Sequence, residues 1–301
     1  MGAGGVGAFY GARLVGAGEE VVFLARGAHL DALQTRGLTL QTAAGESRLP
    51  VTAVADPTVA GPVDLVLFCV KSHDAATAAR SLPSLVGPLT VVLALQNGLD
   101  HAEVIDNAIG PGRCLVGAIQ VLAAQIIAPG VILHSGGEGK IVFGEPTGGP
   151  SERVSRLGDL FQRAGIPSEV SSEMPKVLWE KFLFITGVGG VTALARSGIG
   201  FLLARPEGRA LLAASCKEIV AVAAAEGVNL GANAVDWVLA LAGTFPPEWR
   251  SSMARDLEAG RRLEVEALSG AVVRRAGKHG LAAPIHEIIC TSLTPHQPGG
   301  I

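Results

Sequence analysis

Up to about residue 145, short runs of Val, Leu and Ile alternate with alanine-rich stretches of helical period, and beyond about Met174 the strand-like runs stop. The runs at Glu20–Leu24, Leu65–Cys69, Thr90–Leu95 and Ile141–Phe143 read as strands. Gly7–Val15, Ala28–Arg36, Asp74–Leu82 and Ala102–Asn107 read as the helices between them. Such alternation predicts a mostly parallel sheet with helices on both faces, the α/β Rossmann class. The later part reads as helix alone, at Val177–Phe184, Gly208–Glu226, Ala234–Ala242, Ser251–Lys278 and Ile285–Leu293. We therefore expect an α/β domain over 1–171 and an all-α domain over 172–301. The tail Pro295–Ile301, rich in Pro and Gly, is expected to be disordered.

Composition narrows the classes of function. Aromatic residues make up only 4% of the chain, so Val, Ala, Leu and Gly must carry the packing, as buried parallel strands allow. The net charge is −3 and no segment is strongly basic, which argues against a nucleic-acid partner. Cys69, Cys114, Cys216 and Cys290 are scattered, with no CxxC and no His at zinc spacing, so reduced thiols and no metal site are expected. A mean hydropathy of +0.41 raises the question of a membrane span. The longest uncharged run, Cys114–Gly137, contains Gln120, Gln125, Pro129-Gly130 and His134, which are signals of strands and turns. No basic segment with an apolar core opens the chain. The expectation is a soluble cytoplasmic protein with no membrane partner.

Gly2-Ala3-Gly4-Gly5-Val6-Gly7 fits GxGxxG. In that motif the first glycine permits a tight turn, the second lets backbone approach a pyrophosphate, and the third packs helix against strand. The free N–H groups of the following helix then face the phosphates. Strand Glu20–Leu24 follows at the expected distance and ends at Arg26, with no acid before Asp31. A base here accommodates the 2′-phosphate of NADP, where an acid would bind the free ribose of NAD, so NADP (NADPH) is the expected cofactor. A solvated surface arginine is the alternative. Only Met1 precedes Gly2, although the motif needs a strand before it.

Beyond the loop, GAGGVGAFYGARL (2–14), VVFLARGAHLDALQTRGL (21–38), LFCVKSHD (67–74) and LQNGLD (95–100) resemble the nucleotide-binding half of ketopantoate reductase. LWEKFLF (178–184) and RSSMARDLEAGRRLEVEALSGAVVRRAGKHGLAAP (250–284) resemble its helical half. The resemblance covers almost the whole chain in order, and the 250–284 segment is its most specific part. It implies NADPH-dependent reduction of 2-dehydropantoate (ketopantoate) to pantoate, on the route to pantothenate and coenzyme A. Lys181 matches the family's catalytic lysine, Glu264 a substrate-anchoring glutamate and Ser252 a substrate-binding serine. Asn97 matches an asparagine beside nicotinamide and substrate, and Lys71 a lysine lining the cofactor site; Gly2, Gly4, Gly7 and Arg26 complete the cofactor set. The partner is then a small-molecule 2-keto acid, with a homodimer left open.

The residues themselves carry a parallel reading. On a helix Lys181 has Val177, Leu178, Phe184 and Ile185 as neighbours, a face that desolvates an ammonium and lowers its pKa, unless the side chain snorkels. Lys176, beside Glu173 and Glu180, reads as a solvated lysine. Glu264 falls in line with Met253, Leu257, Gly260, Ala267, Leu268 and Ala271 on one helical stripe, where a carboxylate needs a partner. A substrate hydroxyl with a catalytic ammonium is one choice, and an ion pair with Arg261, Arg262 or Arg274 another. Asn97 and Lys71 follow strands at the end where parallel sheets bind ligands, although Asn-Gly is also a turn dipeptide. Ser252 could instead be an N-cap for the long helix, the role its position alone favours.

The best-known members carry asparagines four and eight residues after the lysine, where this chain has Ile185 and Gly189. A paralogous reductase of another 2-keto acid or ketone is therefore a second reading, and an NADP(H)-binding sensor without turnover a third. The absent strand generates an expectation of its own. Five to eight further upstream residues, about one strand length, should end in an apolar run beside Gly2. A chain carrying them should melt higher and bind NADPH more tightly than this one; equal values would count against it.

Overall fold

The computed structural model describes residues 1–296, and the chain divides into two compact units. One comprises Met1–Gln96 with Asp100–Met174; the other comprises Asn97–Leu99 with the chain from Pro175 onward. The expected disordered tail lies, from 297 on, outside the described residues, and Pro295 itself belongs to a short 3-10 turn, Thr294–His296.

The first unit opens with α1 (Gly5–Gly16), β1 (Val22–Leu24) and α2 (Gly27–Arg36), then β2 (Leu38–Thr42), β3 (Gly45–Leu49) and β4 (Thr52–Val54). It continues through β5 (Val63–Phe68), α3 (Ala75–Ala79), β6 (Val86–Ala94) and α4 (His101–Ile109). Three further strands follow, β7 (Cys114–Gln120), β8 (Ala123–Ala128) and β9 (Val131–Gly136), and the unit ends with β10 (Lys140–Gly144), α5 (Glu152–Arg163) and β11 (Ser168–Val170). One five-stranded sheet has the order β11-β10-β7-β6-β5, parallel throughout except where β10 runs antiparallel to β7. β1 pairs in parallel with β4 in a separate two-stranded sheet.

Between β1 and β5 the backbone of residues 1–3 bridges the two sheets. The Met1 nitrogen donates to the Leu67 carbonyl at 2.8 Å, and the Met1 carbonyl accepts from the Cys69 N–H at 2.9 Å. On the other side the Ala3 N–H donates to the Leu24 carbonyl at 3.1 Å. The spatial order β4, β1, Met1–Ala3, β5, β6, β7 is that of the doubly wound dinucleotide fold, with its central place represented by three residues.

All four expected strands are present, and so are the four expected helices of this unit. The four-stranded sheet β3-β2-β9-β8 was not expected. Its β3 is polar and exposed along most of its length, so it lacks the alternation that marks a half-buried strand. The uncharged run from Cys114 resolves into β7, β8 and β9, as its turn signals indicated. Around α1, the Tyr10 hydroxyl donates to the Gly139 carbonyl at 2.7 Å and the Phe9 ring lies 4.7 Å from that of His134.

The second unit is built on α6 (Met174–Ala195), α7 (Ile199–Leu203), α8 (Pro206–Ala225) and α9 (Ala234–Ala242), then α10 (Ser252–Glu258), α11 (Ser269–Lys278) and α12 (Pro284–Leu293). At 22 residues α6 is the one helix among those described that is long and apolar enough to cross a bilayer, and most of it is buried in the protein. Glycine lets its neighbours approach. A Cβ at Gly187 would lie 2.6 Å from the Cys216 Sγ on α8, and one at Gly190 2.7 Å from the Ile289 side chain on α12. His286, fully buried, joins three helices: its ring nitrogens meet the Ser269 hydroxyl at 3.1 Å and the Ser215 carbonyl at 3.2 Å. Burial holds its pKa down at about 4, so it is neutral.

One expectation is overturned. The single helix Ser251–Lys278 is two helices, with residues 259–268 outside regular structure. Gly260 (φ +61°) ends α10 and lets the Arg261 N–H bond back to the Asp256 carbonyl at 2.8 Å, a C-terminal cap that only glycine adopts freely. The stripe through Glu264 therefore does not exist. The cap of α10 is likewise Ser251, not Ser252. Ser251 is buried, its Oγ accepts from the Ala254 N–H at 3.1 Å and from the Thr192 hydroxyl at 2.9 Å, and it donates to the Gly189 carbonyl at 3.2 Å. Ser251→Ala should lower stability by about 1–2 kcal/mol in urea unfolding, as loss of a cap does. Ser252→Ala, at an exposed position, should stay within about 0.5 kcal/mol of the parent.

Candidate active site

The loop Gly2–Gly7 turns from the sheet into α1, and each glycine of the motif has a separate reason to be glycine. Gly2 has φ +84°, and a Cβ there would lie 2.8 Å from the Val70 nitrogen. At Gly4, the N-cap of α1, a Cβ would meet nothing within 4 Å, so the backbone is open to an incoming group. At Gly7 a Cβ would lie 2.3 Å from the Gly2 carbonyl. No side chain caps α1 and its first turn holds no acid, which leaves its N–H groups and dipole for an anion. Gly5, outside the GxGxxG pattern, is also fixed: its Cβ would lie 2.2 Å from the Ala124 carbonyl of β8.

Arg26 follows β1, caps α2 with its backbone and is exposed; its side chain has no ion-pair partner among the described residues. Lys71 leaves the carboxyl end of β5 and is exposed, at the start of the 3-10 turn Ser72–Asp74. Asn97, half-buried, comes three residues after β6. Gln96 beside it escaped the sequence reading. It is buried, and its Nε2 donates to the Val70 carbonyl at 2.8 Å. Burial pushes the Cys69 thiol up to about 11 and those of Cys114 and Cys216 to about 12.

In the helical unit, Lys181 lies on α6 among Val177, Leu178, Phe184 and Ile185, all partly buried, with Phe184 stacked on Phe245 at 5.8 Å between centroids. Desolvation lowers the pKa of the Lys181 ammonium to about 8, against the opposing pull of the Glu264 carboxylate. Glu264 is buried, in the turn between α10 and α11, where its carbonyl accepts from the N–H groups of Ala267 and Leu268 at 3.2 and 3.1 Å. The structure thus brings Lys181 and Glu264 within electrostatic reach of each other by a turn, not by the stripe. Of the alternative partners, Arg261 bonds Asp256 at 2.7 Å and Arg274 contacts Glu266 at 3.5 Å. Ser252 is exposed and its hydroxyl has no partner among the described residues. Lys176 is exposed as expected. The polar pair that the sequence reading missed is Thr192 with Ser251. Its only signal was the serine doublet before a glycine-terminated helix.

A dinucleotide loop in an α/β unit, with a desolvated lysine and a buried carboxylate in a helical unit, defines a two-unit oxidoreductase. Two family models match the chain, "Ketopantoate reductase PanE/ApbA" over residues 1–148 and "Ketopantoate reductase PanE/ApbA C terminal" over residues 173–297. The 2-dehydropantoate 2-reductase of Halobacterium salinarum is 36% identical over 287 residues, 95% of this chain and 93% of that protein. The crystal structure of a PanE/ApbA family ketopantoate reductase from Ralstonia eutropha superposes with a TM-score of 0.91 at 32% identity, covering 100% of this chain and 98% of that one. D-mandelate dehydrogenase, solved with NADH and anilino(oxo)acetate, gives a TM-score of 0.90 at 22% identity, covering 98% and 96%, a likeness of fold. The chain belongs to the ketopantoate reductase family, oxidoreductases acting on a CH–OH/C=O group.

A group that donates a proton must hold it first, so the reductive rate should fall as pH rises through about 8, the Lys181 value. Glu264 raises that value. Glu264→Gln should therefore move the falling limb of kcat/KM to lower pH, and a limb that stays in place would separate it from Lys181. Lys181→Ala should lower turnover by about two to four decades while the dinucleotide still binds. Lys176→Ala should be nearly silent.

Proposed function

We propose that this chain reduces 2-dehydropantoate to pantoate with NADPH in the cytoplasm, supplying pantothenate and coenzyme A synthesis. The observation that carries the reading is the desolvated Lys181 ammonium within electrostatic reach of buried Glu264. The glycine loop fits a nicotinamide dinucleotide, because Gly4 leaves open the space that a pyrophosphate needs and α1 offers unpaired N–H groups. Arg26 would hold the 2′-phosphate, while Lys71 and Asn97 line the site from the strand ends.

A nicotinamide dinucleotide held by the glycine loop would supply hydride chemistry for the keto carbon. Lys181 holds the carbonyl oxygen by charge and hydrogen bond, and donates the proton that the oxygen needs as it becomes a hydroxyl. Glu264 accepts a hydrogen bond from a substrate hydroxyl. Ser252 takes the carboxylate side, and Asn97 orients the substrate toward the nicotinamide. Two copies would assemble as a homodimer.

A second reading, a reductase of another 2-keto acid, is favoured by the surface of α6. Ile185 and Gly189 lie one and two helical turns beyond Lys181 and offer no amide. A Cβ at Gly189 would meet only the Ser251 Cβ, at 4.0 Å, so packing does not require glycine there as it does at Gly187 and Gly190. A face without hydrogen-bonding groups distinguishes substrates weakly and by shape. Steady-state NADPH oxidation with 2-dehydropantoate and a panel of 2-keto acids decides between them. The highest kcat/KM is expected with 2-dehydropantoate. A higher value with a keto acid lacking the hydroxyl would select the second reading, and binding without any turnover would leave a non-catalytic NADP(H) sensor. Arg26→Ala should weaken NADPH binding by about 1.5–3 kcal/mol and leave NADH nearly unchanged; equal losses would make Arg26 structural.

A further inference from the structure

Gln96 is a buried polar side chain at the ligand-binding edge of the sheet. It is 7% exposed and sits two residues past β6, where the Leu95 N–H still pairs with the Phe68 carbonyl of β5 at 3.1 Å. That puts it at the carboxyl edge of two adjacent parallel strands. In a doubly wound sheet this edge binds the ligand, and β5 and β6 occupy the half that takes the second nucleotide.

Its Nε2 donates to the Val70 carbonyl at 2.8 Å, and Val70 in turn is the residue against which Gly2 is packed, with its nitrogen 2.8 Å and its Cγ1 2.9 Å from a Cβ built on Gly2. Gln96, Val70 and Gly2 thus form one continuous clamp from β6 to the glycine loop. The amide cannot be turned over, because its oxygen would then face the Val70 carbonyl. The other half of the carboxamide, Oε1, is sealed from solvent and has no hydrogen-bond partner among the described residues. Buried acceptors are nearly always satisfied, and one left open at a ligand-binding edge points to a donor that arrives from outside the chain.

We propose that Gln96 is a positioning residue of the dinucleotide site, clamping the Val70 turn onto Gly2 and offering Oε1 to a donor of the nicotinamide nucleotide, a ribose hydroxyl or the carboxamide NH2. This rests on the reading of the glycine loop as a dinucleotide cradle. It assigns Gln96 a part in holding both cofactors, unlike Arg26, whose part depends on the 2′-phosphate.

The test is equilibrium binding of NADPH and of NADH to the whole chain, with the melting temperature of the ligand-free protein measured alongside. The variants are Gln96→Met, which keeps length and volume, and Gln96→Leu. Both dinucleotides should bind about five- to tenfold more weakly, the effect of one ordinary hydrogen bond, in whichever variant folds. Melting of the ligand-free protein should change little, because the substitution removes an unsatisfied acceptor together with one hydrogen bond. Lower melting with unchanged affinity would make Gln96 a purely structural residue and overturn the proposal. Loss of NADPH affinity alone would overturn it too, by placing the effect at the 2′-phosphate. A parent chain that binds neither dinucleotide would remove the cradle reading and this proposal together, whereas a parent that binds with variants that match it would remove only the proposal.

Discussion

The ammonium of Lys181 is held where water solvates it poorly, on a helix packed closely against its neighbours. Burial works against its charge and Glu264 works for it, and the result is a pKa of about 8 where an ordinary lysine has 10.5. Desolvation alone would leave a neutral amine with no proton to give. A carboxylate in full contact would lock the proton in a buried ion pair. The balance gives a group that both releases and regains a proton near neutrality, which general acid chemistry requires. It depends on α6 not moving, and α6 is pinned by close approaches at Gly187 and Gly190 and by the Phe184–Phe245 stack.

Glu264 is held differently, on an irregular turn, and such a turn needs anchors at both ends. At its start, Gly260 and the Arg261–Asp256 pair stop α10. At its end, the Gly270 N–H bonds the Val265 carbonyl at 2.9 Å, and Ser269 meets His286. His286 has a pKa of about 4 and Lys181 one of about 8, so the anchor stays neutral throughout the range in which the lysine titrates. The α12 end of the same network is capped by Glu218, which accepts from the N–H groups of Ile285 and His286 at 2.8 and 3.1 Å. The turn can therefore keep its shape while the neighbouring charge changes.

The sequence made the class of fold legible because buried parallel strands write themselves as apolar runs, as in Leu65–Cys69 and Thr90–Leu95. The helices of the second unit showed in the same way. The sheet β3-β2-β9-β8 was hidden because β8 and β3 bury little of their length, and a strand that faces solvent leaves no period-two trace. Lys181 was named from the family resemblance, and its apolar helical neighbours supported it because α6 is a regular helix there. Glu264 was named from the family resemblance; the helical stripe read alongside it fails, because it ran straight through Gly260, whose left-handed conformation ends the helix. Ser251 was missed because a serine doublet does not say which member is the cap; one residue of register separates a buried triple hydrogen bond from an exposed hydroxyl. Gln96 was passed over beside the turn dipeptide Asn97-Gly98, because a carboxamide's partner is invisible until Val70 is in place.

That hidden sheet also explains what the glycine motif alone does not. The motif accounts for Gly2, Gly4 and Gly7, and leaves Gly5 as an arbitrary member of a glycine-rich start. In the folded unit Gly5 touches the Ala124 carbonyl of β8, closer than any side chain would permit. The loop is thus held from two directions, by the Val70 turn after β5 on one side and by β8 on the other, while the space at Gly4 stays open. A pyrophosphate cradle gains from that arrangement, because backbone N–H groups fixed before a ligand arrives lose little freedom when it binds. Glycine is the most flexible residue when unconstrained. Here contacts that only glycine tolerates remove that flexibility, so the same residues that let the loop form also make it rigid.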